Sequence, residues 1–218
     1  CMKQTRRAYV GAVGALAVGS TGLAGCLGGS SGPASTSHSC DLSERDPVSE
    51  LPQPTVGSDD ATITVDLFED FACPHCARFA TGDLGRLEDE YAGDDVQFRR
   101  FDFLVVDSEW NQPVANAARS IQQELGDEAF FEFARAAYEN QSSYSWQLIG
   151  DLATEVDADP CRVLSDASNG TFQQVIAADG NRAQQAGIRG TPGARVDGTV
   201  LDVVASYDAI SSAIENAL

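Results

Sequence analysis

Cys73 and Cys76 stand between a run that suits a β-strand and one that suits a helix, and no other feature restricts the chain as strongly. Residues Ala61 to Phe68 (ATITVDLF) predict the strand, and Ala77 to Tyr91 predict the helix. A strand, then Cys-x-x-Cys, then a helix is the setting in which such a pair works as a redox dithiol. The first cysteine falls at a helix N-terminus, where unpaired backbone N–H groups and the helix dipole favour a thiolate over a thiol. Pro74 suits the first helical position, where its fixed φ and missing N–H cost nothing. His75 adds a group able to carry positive charge near neutral pH. Cys-x-x-Cys is also half of a zinc site, which needs four ligands. Outside the N-terminal segment the remaining cysteines and histidines are His38, Cys40 and Cys161, with no ligand-like spacing. The expectation is therefore a redox pair, with no metal assigned.

The segment Glu69 to Cys76 (EDFACPHC) resembles the active-site segment of DsbA-like thiol-disulfide oxidoreductases in the thioredoxin superfamily, and Cys-Pro-His-Cys is the pairing associated with oxidising members. Gly187 to Val196 (GIRGTPGARV) is similar to the superfamily's cis-proline loop, with Pro192 as the cis residue and Thr191 before it. The resemblance covers about Ala61 to Leu218. It implies an α/β fold, a thioredoxin fold with a helical insertion at about 112–168, preceded by a disordered tether. It also implies that Thr191 and Pro192 bind the substrate chain, the Thr191 backbone pairing with it like an added strand. No cofactor is implied. The implied substrates are reduced or unfolded secreted proteins, and the implied re-oxidant is a quinone-linked membrane partner. Two rival readings stand beside disulfide formation. Thr before the cis-proline also occurs in reducing and isomerising relatives, and a non-enzymatic surface lipoprotein could use the cysteines to hold metal.

One position departs from the family pattern. Many members carry a glutamate six residues before the first cysteine, near the buried second sulfur; Leu67 stands there instead. Asp66 lies on the opposite strand face by alternation. Asp70 matches a commonly acidic position, for which a solvated turn role is expected. Asp66, Glu69 and Asp70 are close in sequence, and which acid, if any, handles the Cys76 proton is left open.

The 218 residues suffice for one domain with a sizeable core, and 43% apolar content excludes a disordered chain. Net charge is 14 − 33 = −19, and Lys3 is the only lysine. So acidic a surface argues against nucleic acid or anionic lipid as a partner. The composition resembles that of proteins from salt-loving archaea, where salt screens the self-repulsion.

Residues 1–26 read as a signal peptide with a lipobox: Arg6-Arg7, an uncharged run from Ala8 to Gly25, then Leu23-Ala24-Gly25-Cys26. The Arg pair suggests twin-arginine export, with Sec export and an uncleaved membrane anchor as alternatives. Cys1 precedes Met2, which is read as the start. Cys26 is the expected lipidation site, placing the domain at the outer face of the cytoplasmic membrane. Residues 27–60, rich in Gly, Ser, Thr, Pro and Asp, are expected to form a flexible tether, with the domain at 61–218. A second strand is predicted at Val96–Val105. Helices are predicted at Val114–Leu125, Glu128–Tyr138, Trp146–Val156, Pro160–Ala167, Phe172–Gly187 and Tyr207–Leu218, and short strands at Ala194–Val196 and Thr199–Val203.

Setting aside Cys1 and Cys26 leaves Cys40, Cys73, Cys76 and Cys161, an even set. In an oxidising compartment Cys40 and Cys161 could pair, adding about 4–5 kcal/mol in a loop-entropy model whose basis is disputed; two unpaired thiols are the alternative. Asn140 and Asn169 each open an N-x-S/T sequon.

Overall fold

The computed structural model describes Gly32, residues 36–201 and residues 204–218. The expected signal peptide at 1–26, with Cys26, lies outside the described residues. Five strands form one sheet in the order β1-β3-β2-β4-β5. They are β1 (Thr55–Val56), β2 (Ile63–Glu69), β3 (Val96–Asp102), β4 (Gly193–Val196) and β5 (Thr199–Val200). The two central strands, β2 and β3, are parallel and the other pairings are antiparallel. The crossover between β2 and β3 is α1 (Pro74–Arg78), a π turn at Phe79–Asp83, and α2 (Leu84–Tyr91). The expected single helix thus starts earlier and carries a one-turn bulge, in which the Leu84 N–H reaches back five residues to Phe79. Such bulges are often found at functional sites.

Helices α3 (Asn111–Leu125), α4 (Asp127–Glu139), α5 (Trp146–Glu155) and α6 (Pro160–Asn169) make up the insertion, with α3 packed on α4 and α6. Their ends follow local chemistry. Ser145 and Asp159 cap α5 and α6 by accepting backbone N–H bonds, Pro160 opens α6, and Gly170 at φ 68° closes it. Helix α7 (Gln173–Ala186) leads into the Thr191-Pro192 loop, and α8 (Tyr207–Ala217) closes the chain. Strand β5 ends at Val200, shorter than its sequence pattern suggests. No helix among the described residues is long and apolar enough to cross a membrane.

Alternation along β2 divides the core. Val65 and Leu67 face the large cluster that holds Phe71, Cys76, Phe79 and the insertion helices. Phe68 faces a smaller cluster with Phe101, Phe103, Ala183 and Ile188. On that second face Asp66 is buried between Arg99 and Arg195, each in register with it on a neighbouring strand.

The expected tether at 27–60 needs correction over residues 36–60, which pack on the domain. Cys40 and Cys161 are joined at an S–S distance of 2.07 Å. Arg45 pairs with buried Asp166, and the Val48 N–H donates to the Thr171 carbonyl at 2.8 Å. Gln53 donates to Asp179 at 2.8 Å, beside a buried Asp102–Arg119–Asp179 chain of ion pairs. Strand β1 then adds to β3. The composition of this stretch suits a tether, but Leu42, Val48 and Leu51 pack on the core, and Arg45 and Gln53 meet the buried carboxylates of Asp166 and Asp179.

Candidate active site

Cys73 occupies the N-cap of α1 with extended backbone (φ −83°, ψ 118°), and Pro74 takes the first helical turn. Cys73 is 5% exposed and Cys76 is fully buried; neither is bonded to another cysteine. Their environments separate their acidities. Cys73 is pushed down from 9.0 to about 5, chiefly by a hydrogen bond from the Cys76 thiol, with smaller help from the Thr191 side chain and the backbone N–H groups of Cys76 and His75. Burial works against this and loses. Cys76 is pushed far up, first by burial, then by its bond to Cys73 and by the nearby Glu69 charge. Near neutral pH the pair therefore holds one thiolate, on Cys73.

The Thr191-Pro192 bond is cis. It brings the Thr191 carbonyl oxygen to 3.3 Å from the Cys73 sulfur, which donates to it when protonated. Gly193 follows because nothing larger fits: a Cβ there would sit 2.6 Å from Ile188 Cγ2 and 3.0 Å from the Gly190 carbonyl oxygen. His75 is exposed and its Nδ1 lies 2.8 Å from Arg78 Nη2. Because a guanidinium only donates, Nδ1 accepts there. The His75 group that reaches the Cys73 sulfur is its backbone N–H rather than its ring.

Asp70 is not a solvated turn residue. It is fully buried, and its carboxylate accepts from the backbone N–H groups of Ala72 (2.9 Å), Val105 and Val106 (both 2.8 Å). Its own N–H points at Cys76 Sγ, 3.5 Å away. Asp70 thus ties the start of the active-site turn to the loop after β3; an acid folded over backbone donors needs no solvent.

Glu69, one pleat beyond Leu67 on the same strand face, is buried as well. It is 1% exposed and pairs with Arg100, Nε to Oε2 at 2.8 Å. Burial raises the Glu69 pKa, with Arg100 opposing. Arg100 also donates to the Tyr138 hydroxyl at 2.9 Å and lies 4.2 Å over the Phe71 ring. The pattern of alternation holds the signal for Glu69, since residues 67 and 69 share a face.

Two residues of the insertion were not foreseen. Gln141 Nε2 donates to the carbonyls of Phe71 (2.7 Å) and Cys73 (3.0 Å), and the Tyr144 hydroxyl donates to Phe71 at 3.2 Å. They fix the turn carrying Cys73 from across the fold, and no local motif announces them. Cys40 and Cys161 lie apart from this constellation, joining the stretch before β1 to the start of α6.

Known proteins agree with this geometry. The thioredoxin family profile matches residues 49–216. Disulfide bond formation protein D of Bacillus subtilis (strain 168) is 29% identical over 173 residues, covering 76% of this chain and 77% of that protein. The crystal structure of oxidised BdbD from Bacillus subtilis superposes with a TM-score of 0.68 at 28% identity, covering 79% of this chain and 98% of that one. Chlamydia trachomatis DsbA has the same fold, with a TM-score of 0.68 at 17% identity over 80% of this chain and 97% of its own. The chain belongs to the thioredoxin family, as a DsbA-like thiol-disulfide oxidoreductase.

Proposed function

We propose that this oxidoreductase forms disulfides in exported proteins. The observation that carries the direction is the split between the two sulfurs: a thiolate stabilised on Cys73 stabilises the reduced enzyme, so the oxidised enzyme gives up its disulfide readily. A substrate thiolate attacks Cys73 Sγ, the Cys73–Cys76 bond breaks, and Cys76 leaves with the electron pair. Cys76 is too buried to remain an anion and takes a proton, which Glu69 is placed to give. A second substrate thiolate then attacks the substrate sulfur, and Cys73 leaves as the thiolate its surroundings favour. Low leaving-group pKa speeds that step. The product is one substrate disulfide and a reduced enzyme. Thr191 and the cis-proline dock the substrate backbone beside Cys73, with the Thr191 carbonyl already facing the sulfur.

In the same reading the domain works outside the cytoplasmic membrane, exported through the Arg6-Arg7 signal and held by a lipid on Cys26. The Cys40–Cys161 bridge supports an oxidising compartment. A quinone-linked membrane protein restores the disulfide, and the surplus of acidic residues suits a salty milieu. The deciding experiment compares oxidation of a reduced, unfolded test protein with reduction of insulin. Oxidation should dominate, and Cys73→Ser should bring it down to the buffer rate; preferential insulin reduction would reverse the direction assigned.

A further inference from the structure

We propose that Glu88 on α2 is the outer station of a proton path whose inner end is Cys76, acting on that sulfur through Glu69. The inference rests on the reading of Glu69 given above and adds the route by which Glu69 exchanges its proton with solvent.

A small pocket of about 20 Å³ lies between α2, β2, β3 and α4, and Glu69, Glu88, Arg100, Arg135 and Tyr138 all contribute to its wall. Arg100 Nε engages Glu69 Oε2 at 2.8 Å. Oε1 of Glu69, Oε1 of Glu88 and Nη1 of Arg100 are buried without a hydrogen-bond partner in the protein. Unpaired buried polar atoms are costly and uncommon, and here they gather round one space. That space exceeds the roughly 10–15 Å³ needed to admit a water, and its wall offers the two to four polar partners a water requires. A water placed there accepts from Arg100 and donates to both carboxylates, joining Glu69 to Glu88.

Glu88 has the properties of an exit. It is partly exposed, unlike Glu69. Arg135 acts on it through its charge, with no ion pair within 4 Å among the described residues. The charged groups facing it are Arg135 from α4, Glu69 from β2 and Asp89 on its own helix, with Arg100 of β3 and Tyr138 of α4 across the cavity. Burial pushes its pKa up to about 7, against the pull of Arg135, so it exchanges protons near neutrality. When Cys76 leaves Cys73, Glu69 passes a proton to the Cys76 thiolate in step with taking one through the water from Glu88, so mixed-disulfide formation waits on the whole relay. Glu88 then refills from solvent; no electron moves in this relay.

The test is single-turnover oxidation of a thiol peptide by the full-length oxidised enzyme, followed from pH 5 to 9 for wild type, Glu88→Gln, Glu69→Gln and the double variant. Glu88→Gln should slow mixed-disulfide formation about tenfold at pH 7 and remove the limb of the profile near that pH, leaving the Cys73 thiolate titration in place. A group acting at one remove falls short of the 10²–10⁴ of a direct general acid. The double variant should match Glu69→Gln, because both lie on one route. A Glu88→Gln profile that superposes on wild type overturns the proposal; if Glu69→Gln alone remains slow, the Glu69 reading survives that failure. If neither variant changes the profile, both readings fall. Should the amide variant not fold, Glu88→Asp is read instead: a displaced limb supports the path and an unmoved one refutes it.

Discussion

The sulfur of Cys73 lies 3.3 Å from the carbonyl oxygen of Thr191, a contact between residues 118 positions apart in the chain. A carbonyl oxygen disfavours an anion, yet Cys73 is the acidic sulfur of the pair. The donors gathered on its other side, with the Cys76 thiol first among them, outweigh the carbonyl.

Removing that leading donor should therefore show. Cys76→Ala should raise the Cys73 thiolate midpoint above its value of about 5 by about one to two units, since a hydrogen bond to a charged group contributes about 1.5–3 kcal/mol. Cys76→Ser keeps a donor and should shift it less. Ultraviolet absorbance of the thiolate measures both.

The same depressed value makes the reduced form pH-sensitive. A folded pKa below the unfolded one contributes stability that is complete above the unfolded value, near 9, and disappears as pH falls through about 5. Cys76, raised in the fold, stays protonated throughout this window. The reduced protein should gain stability relative to the oxidised one between pH 5 and 8, read from denaturant midpoints of the two forms. A difference that is flat with pH would contradict a stabilised Cys73 thiolate.

Arg100 holds the charge of Glu69 inside the core. Arg100→Met should destabilise by about 3–5 kcal/mol where Glu69 is ionised in wild type, because an unpaired buried charge remains. Glu69 then folds only protonated, so its folded pKa rises further above the unfolded one. The deficit should grow as pH rises past the raised value of Glu69 in the wild-type fold and shrink in acid, where both proteins bury a neutral acid. Urea unfolding at pH 4.5 and pH 8 gives the comparison.

Gln141 is the long-range anchor of the Cys73 turn. Gln141→Leu removes two hydrogen bonds and should cost about 1–3 kcal/mol. Oxidation of a model thiol should slow several-fold while the overall fold persists by far-ultraviolet circular dichroism.

The bridge between Cys40 and Cys161 closes a loop of 121 residues in sequence separation. Replacing both with serine should lower stability by about 2–5 kcal/mol and expose residues 36–54 to limited proteolysis, leaving the Cys73 titration unchanged.

Much of this was legible in the chain itself, for reasons of range. The strand before Cys73, the helix after it and the Thr191-Pro192 turn are set by neighbours a few residues away, so local pattern reaches them. Glu69 was within reach too: the alternation that sets Asp66 on the opposite face also puts residue 69 on the face of Leu67. Asp70 was misjudged because an acid in a turn resembles a solvated one until the backbone donors of Val105 and Val106, more than thirty residues on, arrive. Gln141 and the strap at 36–60 lay out of reach. Their roles depend on carbonyls and buried charges contributed by remote segments, and nothing in a polar residue's immediate surroundings identifies such a partner.

The two margins of the sheet, Thr55–Val56 and Thr199–Val200, are each only two residues long. If the substrates are unfinished chains, as proposed above, the enzyme works among sticky, strand-seeking polypeptide, the company in which an extended open border invites misassembly. Margins this brief offer such a chain little ladder to extend. On that reading, brevity at the rim helps to confine capture to the place where chemistry can follow and release.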